Sequence, residues 1–232
     1  MRMLKAEFLA IKCMNRFVDI WAGGDQRPVL FDVDRVLPPL RRLEQNWMTI
    51  RQEVEGILPQ LETVPRYYEL DPGQSKISGS EAGADWRVFM INAYGELPAK
   101  NRALCPETSR LIDSIPGVFV AFFSILEPGK SIPAHCGPLR TYLRYHLGLI
   151  TPVNNPPSIR VRDQVHTWKE GTGFFFDDSW EHEVTNNSDG VRVVLIVDII
   201  RPLPWPGRIV NELFSRKIVR WTYGRAIAEK LR

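Results

Sequence analysis

Two histidines are the side chains of this sequence best placed to do chemistry. His135 stands in the string AHCGP, and His182 stands much later, in DDSWEHEV. Each lies at the end of an apolar run that is typical of a β-strand. Imidazole nitrogens are good ligands for Fe(II), and an iron ion that must also take an oxidant and a co-substrate needs open coordination positions. The pair therefore predicts an iron site at the mouth of a β-barrel, with both histidines as metal ligands and catalytic residues.

The residue two positions after the first histidine raises a question about this site. Common iron sites of this kind carry a carboxylate there, and this sequence has Gly137. Either no iron is bound, or iron is held by two protein ligands. His182 could instead bond a neighbouring backbone group or pair with Asp178. For the iron site, we expect Asp178 or Glu181 to orient the His182 ring.

Arg144 and His146 lie in the string YLRYHLGL, where the alternation of a strand puts them on one face together with Gly148. The Leu and Tyr residues between them share the opposite face. An arginine and a histidine aimed into a barrel are costly unless they meet an anion or an acid. We therefore expect both to face an acid inside the barrel; a solvent-facing strand is the alternative.

Arg192 begins the string RVVLIVDII, a strand that is apolar on both faces and should be buried on both sides. From the strand entrance, its guanidinium could hold a carboxylate through two parallel hydrogen bonds. The alternative is an edge arginine paired with Asp189 or Asp198. Ser124, in the buried string FFSIL, offers a hydroxyl that either serves the same site or bonds nearby backbone. His166 is assigned to a surface strand.

The second half of the sequence alternates as strands do. From residue 117 onward, short apolar runs are separated by turn strings such as EPG, KEGTG and NNSDG. This pattern indicates a β-sandwich or barrel rather than alternating strands and helices. Apolar spacing predicts helices within 1–22, 36–62 and 207–232, and the polar stretch 65–85 predicts a mobile surface loop that could act as a lid.

Composition bounds the class of protein. The 232 residues can bury one substantial core, and 44% hydrophobic with 25% charged residues is ordinary for a globular protein. The net charge of +3 does not indicate a nucleic-acid partner. Three widely spaced cysteines form neither a disulfide framework nor a zinc motif, which indicates a reducing compartment, the cytoplasm. No GxSxG, HExxH, GxxxxGK[ST] or GxGxxG string occurs.

Both ends of the chain raise the question of membrane contact. In residues 201–232, eight Lys and Arg stand against two acidic residues. This basic helix either touches the inner face of an anionic membrane or presents a solvated face. The first 22 residues are interrupted by too many charges for a signal core or a membrane span, and they predict an amphipathic helix that packs on its own domain or contacts a membrane.

Four strings, in this order, resemble the aspartyl/asparaginyl β-hydroxylase family of Fe(II)- and 2-oxoglutarate-dependent oxygenases. They are FSILEPGKSIPAHCGPLRTYLRYHLGL, WKEG, FFFDDSWEHEV and VRVVLIVDIIRP, and they lie within residues 120–202. The resemblance implies a mainly β domain with flanking helices, a double-stranded β-helix (jelly roll, cupin-like). The whole chain, 1–232, then forms one domain with N-terminal helices in 1–62, an oxygenase core in 86–202 and a basic helix in 207–232.

The resemblance also implies site roles. It makes His135 and His182 the iron ligands, and it implies 2-oxoglutarate as co-substrate and dioxygen as oxidant. Animal members of the family also have glycine where most relatives have aspartate, so Gly137 is compatible with the family, and water then completes the coordination. Arg192 matches the position that binds the distal carboxylate of 2-oxoglutarate, and Ser124 assists it.

Arg144 and His146 match positions that, in the family, contact carboxylates of the co-substrate or the substrate. Animal members carry another arginine two residues before the equivalent of Arg144, and this sequence has Tyr142 there. This departure weakens the case for an acidic substrate.

The resemblance implies hydroxylation of an unactivated carbon, first of all the β-carbon of an aspartyl or asparaginyl residue in a peptide or protein. Bacterial relatives that act on lipid A acyl chains or on free amino acids supply alternative substrates. A non-catalytic jelly-roll module that binds a small acid stays open, as does a metal-dependent hydrolase or isomerase on a cupin-like barrel. The sequence does not indicate an oligomeric state.

Overall fold

The computed structural model describes residues 5–79 and 85–231. Two antiparallel sheets face each other, and helices flank them. Their strands are Trp86–Ala93 (β1), Val118–Leu126 (β2), Ile132–His135 (β3), Tyr142–Ile150 (β4), Ser158–Val161 (β5), Gln164–Thr167 (β6), Gly173–Phe176 (β7), His182–Thr185 (β8) and Arg192–Ile200 (β9).

The strand order is that of a jelly roll. The large sheet runs β1-β2-β9-β4-β7, and the small sheet runs β3-β8-β5-β6. From β2 onward the chain therefore passes back and forth between the two sheets, with hydrogen-bonded neighbours distant in sequence. β1 extends the edge of the large sheet beside β2. The fold predicted from the sequence, a mainly β jelly roll with flanking helices, is confirmed.

Strand alternation divides the apolar side chains between two cores. On β4, Leu143, Tyr145, Leu147 and Leu149 pack on the outer face of the large sheet, against helices. The opposite face of β4 looks into the space between the sheets, where Tyr142 joins a second core. Because side chains of a strand alternate with period two, Arg144 and His146 also look into that space. The predicted strand face is thus the one that faces the barrel interior.

The helices lie mostly before β1 and after β9. Their bounds are Lys5–Ala22 (α1), Val33–Val36 (α2), Arg41–Gln45 (α3), Trp47–Ile57 (α4), Tyr67–Leu70 (α5), Ser75–Ser78 (α6), Ala99–Leu104 (α7), Pro106–Asp113 (α8), Gly207–Leu213 (α9) and Arg225–Lys230 (α10). A π-helical segment, Phe214–Gly224, joins α9 to α10. The predicted helices within 1–22, 36–62 and 207–232 are present in the described part of the chain.

The stretch 65–85 differs from the expected loop. Short helical segments occupy most of it, and Leu70 and Ser78 are buried. Tyr67 packs edge-on against Trp86, with ring centroids 4.6 Å apart. Aromatic and aliphatic anchors spaced among the polar residues explain why this stretch packs on the barrel. The remainder of the predicted lid, residues 80–84, lies outside the described residues.

Candidate metal centre and acid pocket

His135 and His182 meet because they are cross-strand neighbours. β3 and β8 are antiparallel, and the register places these two residues directly opposite each other. Their ring centroids are 4.2 Å apart. Residues facing each other on neighbouring strands have side chains close enough to share one ligand. Both residues lie at strand ends, because His135 is the last residue of β3 and His182 the first of β8.

The hydrogen bonds of the two rings determine which nitrogen is free. His135 Nδ1 lies 2.9 Å from the carbonyl oxygen of Pro133, and His182 Nδ1 lies 2.9 Å from that of Trp180. A carbonyl can only accept, so each Nδ1 carries the proton and each Nε2 keeps its lone pair. This is the tautomer that a metal-binding histidine needs. The backbone of Trp180, together with that of Asp178, orients the His182 ring. The expectation that Asp178 or Glu181 orients this ring stays a prediction.

Burial keeps both rings neutral. It lowers the pKa of His182 to about 3, with the neighbouring His135 adding to the effect. Burial also lowers the pKa of His135. A neutral imidazole is the form that binds a cation. Among the described residues, no third Asp, Glu, Cys or His joins the pair as a ligand set, so the protein offers two nitrogens to a metal ion.

Gly137 has no room for a side chain. A Cβ atom at this position would lie 2.7 Å from Oδ2 of Asp178 and 2.8 Å from Oδ1. Asp178 is itself buried, its Oδ2 accepts from the Tyr142 hydroxyl at 3.1 Å, and its Oδ1 has no hydrogen-bond partner. A carboxylate thus stands beside the histidine pair, but it comes from the β7–β8 turn rather than from the position after His135.

Arg192 lies in a buried cluster of polar side chains, which we call the acid pocket. Its side chain is 1% exposed, and its Nη1 donates to the Ser124 hydroxyl at 3.2 Å. The guanidinium lies over the Trp168 ring, 4.6 Å from its centroid. Its Nε has no hydrogen-bond partner, and no carboxylate pairs with it among the described residues. Burial lowers the pKa of Arg192 to about 9. A buried guanidinium without a counter-ion is costly, and an acidic ligand would relieve that cost.

Ser124 contacts Arg192 directly, and His146 stacks on the same Trp168 ring, with centroids 5.9 Å apart. The Ser124 hydroxyl also accepts from Trp86 Nε1 at 2.9 Å, which fixes it beside Arg192. His146 is buried, and neither of its ring nitrogens has a hydrogen-bond partner. Burial lowers its pKa well below the usual value, with Arg144 and Arg192 contributing repulsion. Unpaired buried polar groups are rare in folded proteins, so this group of them indicates a ligand pocket.

Arg144 has carboxylate partners within the protein. Its Nε and Nη2 donate to the two oxygens of Asp198 at 2.7 and 2.8 Å, and its Nη1 lies 3.1 Å from Oδ2 of Asp178. Two acids thus engage a guanidinium that the sequence assigned to co-substrate or substrate carboxylates. That role stays a prediction, whereas the structure shows Arg144 tying the Asp178 turn to β9.

His166 is not a surface residue, contrary to the sequence prediction. It pairs with the buried Ile159 across β5 and β6 and shares its inward face. Its ring stacks on Phe174 at 4.0 Å, and its Nε2 is buried without a partner. The short string before Trp168 gave no periodicity from which its face could be judged. Phe174 stacks in turn on Phe176, whose ring edge meets His182.

Sequence reasoning also missed the residues that surround the pocket. Trp180 lies between two guanidinium groups, those of Arg27 at 3.7 Å and Arg162 at 4.3 Å from its ring. Arg27 also pairs with the buried Asp177 at 2.9 Å. This arrangement fixes the backbone segment whose carbonyl holds His182. The tryptophans in WKEG and DDSWE were visible signals, but a tryptophan in a β-rich sequence is more often core than site.

The chain is similar to several known hydroxylases. The chain is 39% identical to the ornithine lipid ester-linked acyl 2-hydroxylase of Rhizobium tropici, over 79% of this chain and 64% of that protein. It is 31% identical to the human aspartyl/asparaginyl beta-hydroxylase, over 70% of this chain and 21% of that protein. The human aspartate beta-hydroxylase domain-containing protein 2 is 32% identical, over 69% and 44%. The chain thus spans under two thirds of the length of each of these relatives.

Solved cupin structures share only part of the architecture. A predicted oxalate decarboxylase of Thermotoga maritima aligns with 55% of this chain and 96% of its own, at 16% identity and a TM-score of 0.33. The family described as aspartyl/asparaginyl beta-hydroxylase, in contrast, matches residues 44–202, which include the histidine pair and the acid pocket. The chain belongs to the aspartyl/asparaginyl beta-hydroxylase family.

Proposed function

We propose that this protein is an Fe(II)- and 2-oxoglutarate-dependent dioxygenase that hydroxylates an unactivated carbon. One arrangement carries the proposal: two neutral imidazoles with free Nε2 lone pairs face each other, and a buried arginine lies near them without an acidic partner among the described residues. Ring contacts through Phe176, His146 and Trp168 connect His182 to that arginine, Arg192. A divalent cation suits the first feature, and a small dicarboxylate suits the second.

The residues divide the work of the proposed reaction. His135 and His182 hold the metal through Nε2, because their Nδ1 protons are engaged by carbonyl groups. When bound, Fe(II) would supply the reaction with dioxygen in which 2-oxoglutarate is split into succinate and carbon dioxide, one oxygen atom entering succinate and the other the C–H bond of the substrate. Arg192, positioned by Ser124, neutralises the distal carboxylate. Phe176, packed against His182, helps to exclude water from the site.

The pocket chemistry favours an uncharged carbon chain as substrate. Arg144 is already paired with Asp198 and Asp178, and Tyr142 stands where animal relatives have a further arginine. The guanidinium that the sequence assigned to a substrate carboxylate is thus already engaged by two acids of the protein. The relative from Rhizobium tropici acts, by its name, on a lipid acyl chain. We therefore propose the acyl chain of a membrane lipid as substrate.

The second candidate substrate is the β-carbon of an aspartyl or asparaginyl residue. The names of the family and of its human relatives support it. Lipids, peptides and free amino acids should each be incubated with the protein in a separate reaction, and mass spectrometry should show which of them is hydroxylated. Only the true substrate gains the mass of one oxygen atom.

Succinate formation tests the reaction class. Wild-type protein should release succinate only with iron and 2-oxoglutarate both present, and His182→Ala should abolish that release. Arg160→Gln is the control, since Arg160 pairs with Glu183 on the outer side of the small sheet. A small-acid-binding module would instead be stabilised by 2-oxoglutarate without metal and would form no succinate.

A further inference from the structure

Exposed apolar side chains are concentrated along the C-terminal helical segment. Ordinary surfaces carry such residues singly, whereas here they recur over five turns. Their exposed fractions are 74% for Trp205, 45% for Ile209, 52% for Leu213, 49% for Ile218 and 65% for Trp221.

The segment holds this face outward because its other face is anchored. Asn211, Ser215 and Val219 are buried, so the residues between them point away from the barrel. Asn211 Nδ2 donates to the carbonyl oxygens of Thr141 at 2.9 Å and Arg201 at 3.0 Å. The apolar row is therefore a fixed feature of the folded protein.

Helix α1 extends this surface toward the metal centre. Its Met14 and Val18 form a small core with Leu203, against which Phe214 packs. At the end of α1, the ring of Trp21 is 37% exposed and lies close against the backbone of Gly207. We define the docking surface as the following six residues: Trp21, Trp205, Ile209, Leu213, Ile218 and Trp221.

Positive charge surrounds the docking surface. Arg208, Arg216, Lys217 and Arg225 are exposed, and within the part of the chain that the structure describes none of them has an acidic ion-pair partner. Exposed acids on the same segment are only Glu212 and Glu229. Tryptophan and aliphatic groups mixed with arginine and lysine match the interface of an anionic bilayer, where rings lie at headgroup level and cations meet phosphates.

The surface is also connected to the mouth of the barrel. Asn15 of α1 donates to the carbonyl oxygen of Pro138 and accepts from the Arg140 amide, each at 2.9 Å. These bonds tie α1 to the loop that directly follows His135. A lipid leaflet touching α1 and the C-terminal segment would thus lie beside the candidate metal centre.

We propose that the docking surface binds the interface of an anionic lipid bilayer and so brings the barrel mouth to its acyl chains. This inference rests on the proposed lipid hydroxylation. In the described residues no helix has the length and hydrophobicity to cross a bilayer. The proposed binding is reversible and depends on both apolar burial and charge.

Vesicle co-sedimentation tests this directly. Wild-type protein should bind phosphatidylcholine vesicles that contain phosphatidylglycerol, and binding should weaken as salt is added. Arg216→Glu with Lys217→Glu should weaken binding by at least about thirtyfold, since each basic side chain near such a surface adds about fivefold. Trp205→Ser with Trp221→Ser should weaken it by about tenfold.

Matched controls use similar residues elsewhere on the protein. Met48→Ser with Leu104→Ser removes apolar side chains that are 68% and 61% exposed, and Arg35→Glu reverses an exposed charge. These variants should bind vesicles as wild type does. All variants should keep the cooperative unfolding and 2-oxoglutarate binding of the wild type, because none touches the pocket.

Three outcomes would overturn the proposal. In the first, wild-type protein does not bind the vesicles. In the second, it binds vesicles of phosphatidylcholine alone as strongly as those that contain phosphatidylglycerol. In the third, the lipid-free protein is a dimer, and Trp205→Ser with Trp221→Ser converts it to a monomer. The last would make the surface an interface between copies. His182→Ala separates the two proposals, since it should bind vesicles normally while losing metal. Vesicle binding without any succinate formation would contradict the proposed function and leave docking intact.

Discussion

The carboxylate of Asp178 occupies the space into which a side chain at Gly137 would project. An added Cβ would lie 2.7 to 2.8 Å from both oxygens of that carboxylate. The glycine is therefore required by packing, and the acid that iron sites of this type commonly carry at this position is excluded by another acid nearby. The packing around Asp178 explains why residue 137 is a glycine, and the two-ligand iron site stays a prediction.

Restoring the common carboxylate should therefore damage the site. Gly137→Asp should lower metal affinity at least about tenfold, because the new side chain displaces the Asp178 turn and adds a like charge beside it. Gly137→Asp combined with Asp178→Gly should recover part of the affinity. Metal affinity is measured by isothermal titration calorimetry. If Gly137→Asp alone bound metal more tightly than wild type, the packing argument would be contradicted.

Arg192 should determine affinity for the co-substrate. Arg192→Gln should weaken 2-oxoglutarate binding by roughly 30- to 4,000-fold, the range for removing one member of a buried hydrogen-bonded charge pair. Arg192→Lys should recover little, since an ammonium cannot make the two-pronged contact or stack on Trp168 in the same way. Binding measured without oxygen separates this loss from any effect on turnover. Unchanged affinity in Arg192→Gln would show that Arg192 does not bind 2-oxoglutarate.

Asp198 should contribute strongly to stability. Asp198→Ala removes the two-pronged partner of the partly buried Arg144 and leaves it only the contact with Asp178. Breaking a buried pair costs about 3–5 kcal/mol, so we expect a loss near the lower end, about 3 kcal/mol. Asp34→Ala is the matched control: Arg41 grips Asp34 through the same two-pronged geometry, but this pair is exposed. Urea unfolding should show a large loss for the first variant and little for the second. Equal losses would show that burial does not determine the energetics of these pairs.

Buried histidines should make the metal-free protein sensitive to acid. Burial lowers the pKa of His146 well below its usual 6.5. Below about pH 6.5 the unfolded chain therefore binds more protons than the folded one. The free energy of unfolding should hold steady above that pH and fall as pH drops, by up to about 1.4 kcal/mol per pH unit for each such ring. His146→Gln should remove one ring's share of the slope.

Asp178 should act in the opposite direction. Burial raises its pKa, so the folded protein binds the proton more readily than the unfolded chain. Its contribution to stability is present at low pH and is lost as pH rises through the folded pKa. Asp178→Asn should therefore make the acid-side loss of stability steeper. Urea unfolding at a series of pH values measures both effects, and a flatter profile in Asp178→Asn would contradict the assigned direction.

The sequence contained enough to predict the barrel and the residues that meet in it. Period-two alternation placed Arg144 and His146 on the inward face, and the apolar run after Arg192 indicated a central strand. It could not show that Arg144 is held by Asp198, because a cross-strand pair depends on register. The inward face of His166 was missed because β6 is short and gives little periodicity.

The most direct test of the account is whether His135 and His182 share one metal ion. Co(II) can replace iron in an oxygen-free titration, and the visible absorption of the bound ion reports its ligands. We predict one equivalent bound by the wild-type protein in the presence of 2-oxoglutarate, and loss of that signal in both His135→Ala and His182→Ala. His166→Ala should retain it. Stoichiometric binding that survives removal of either His135 or His182 would contradict the central claim.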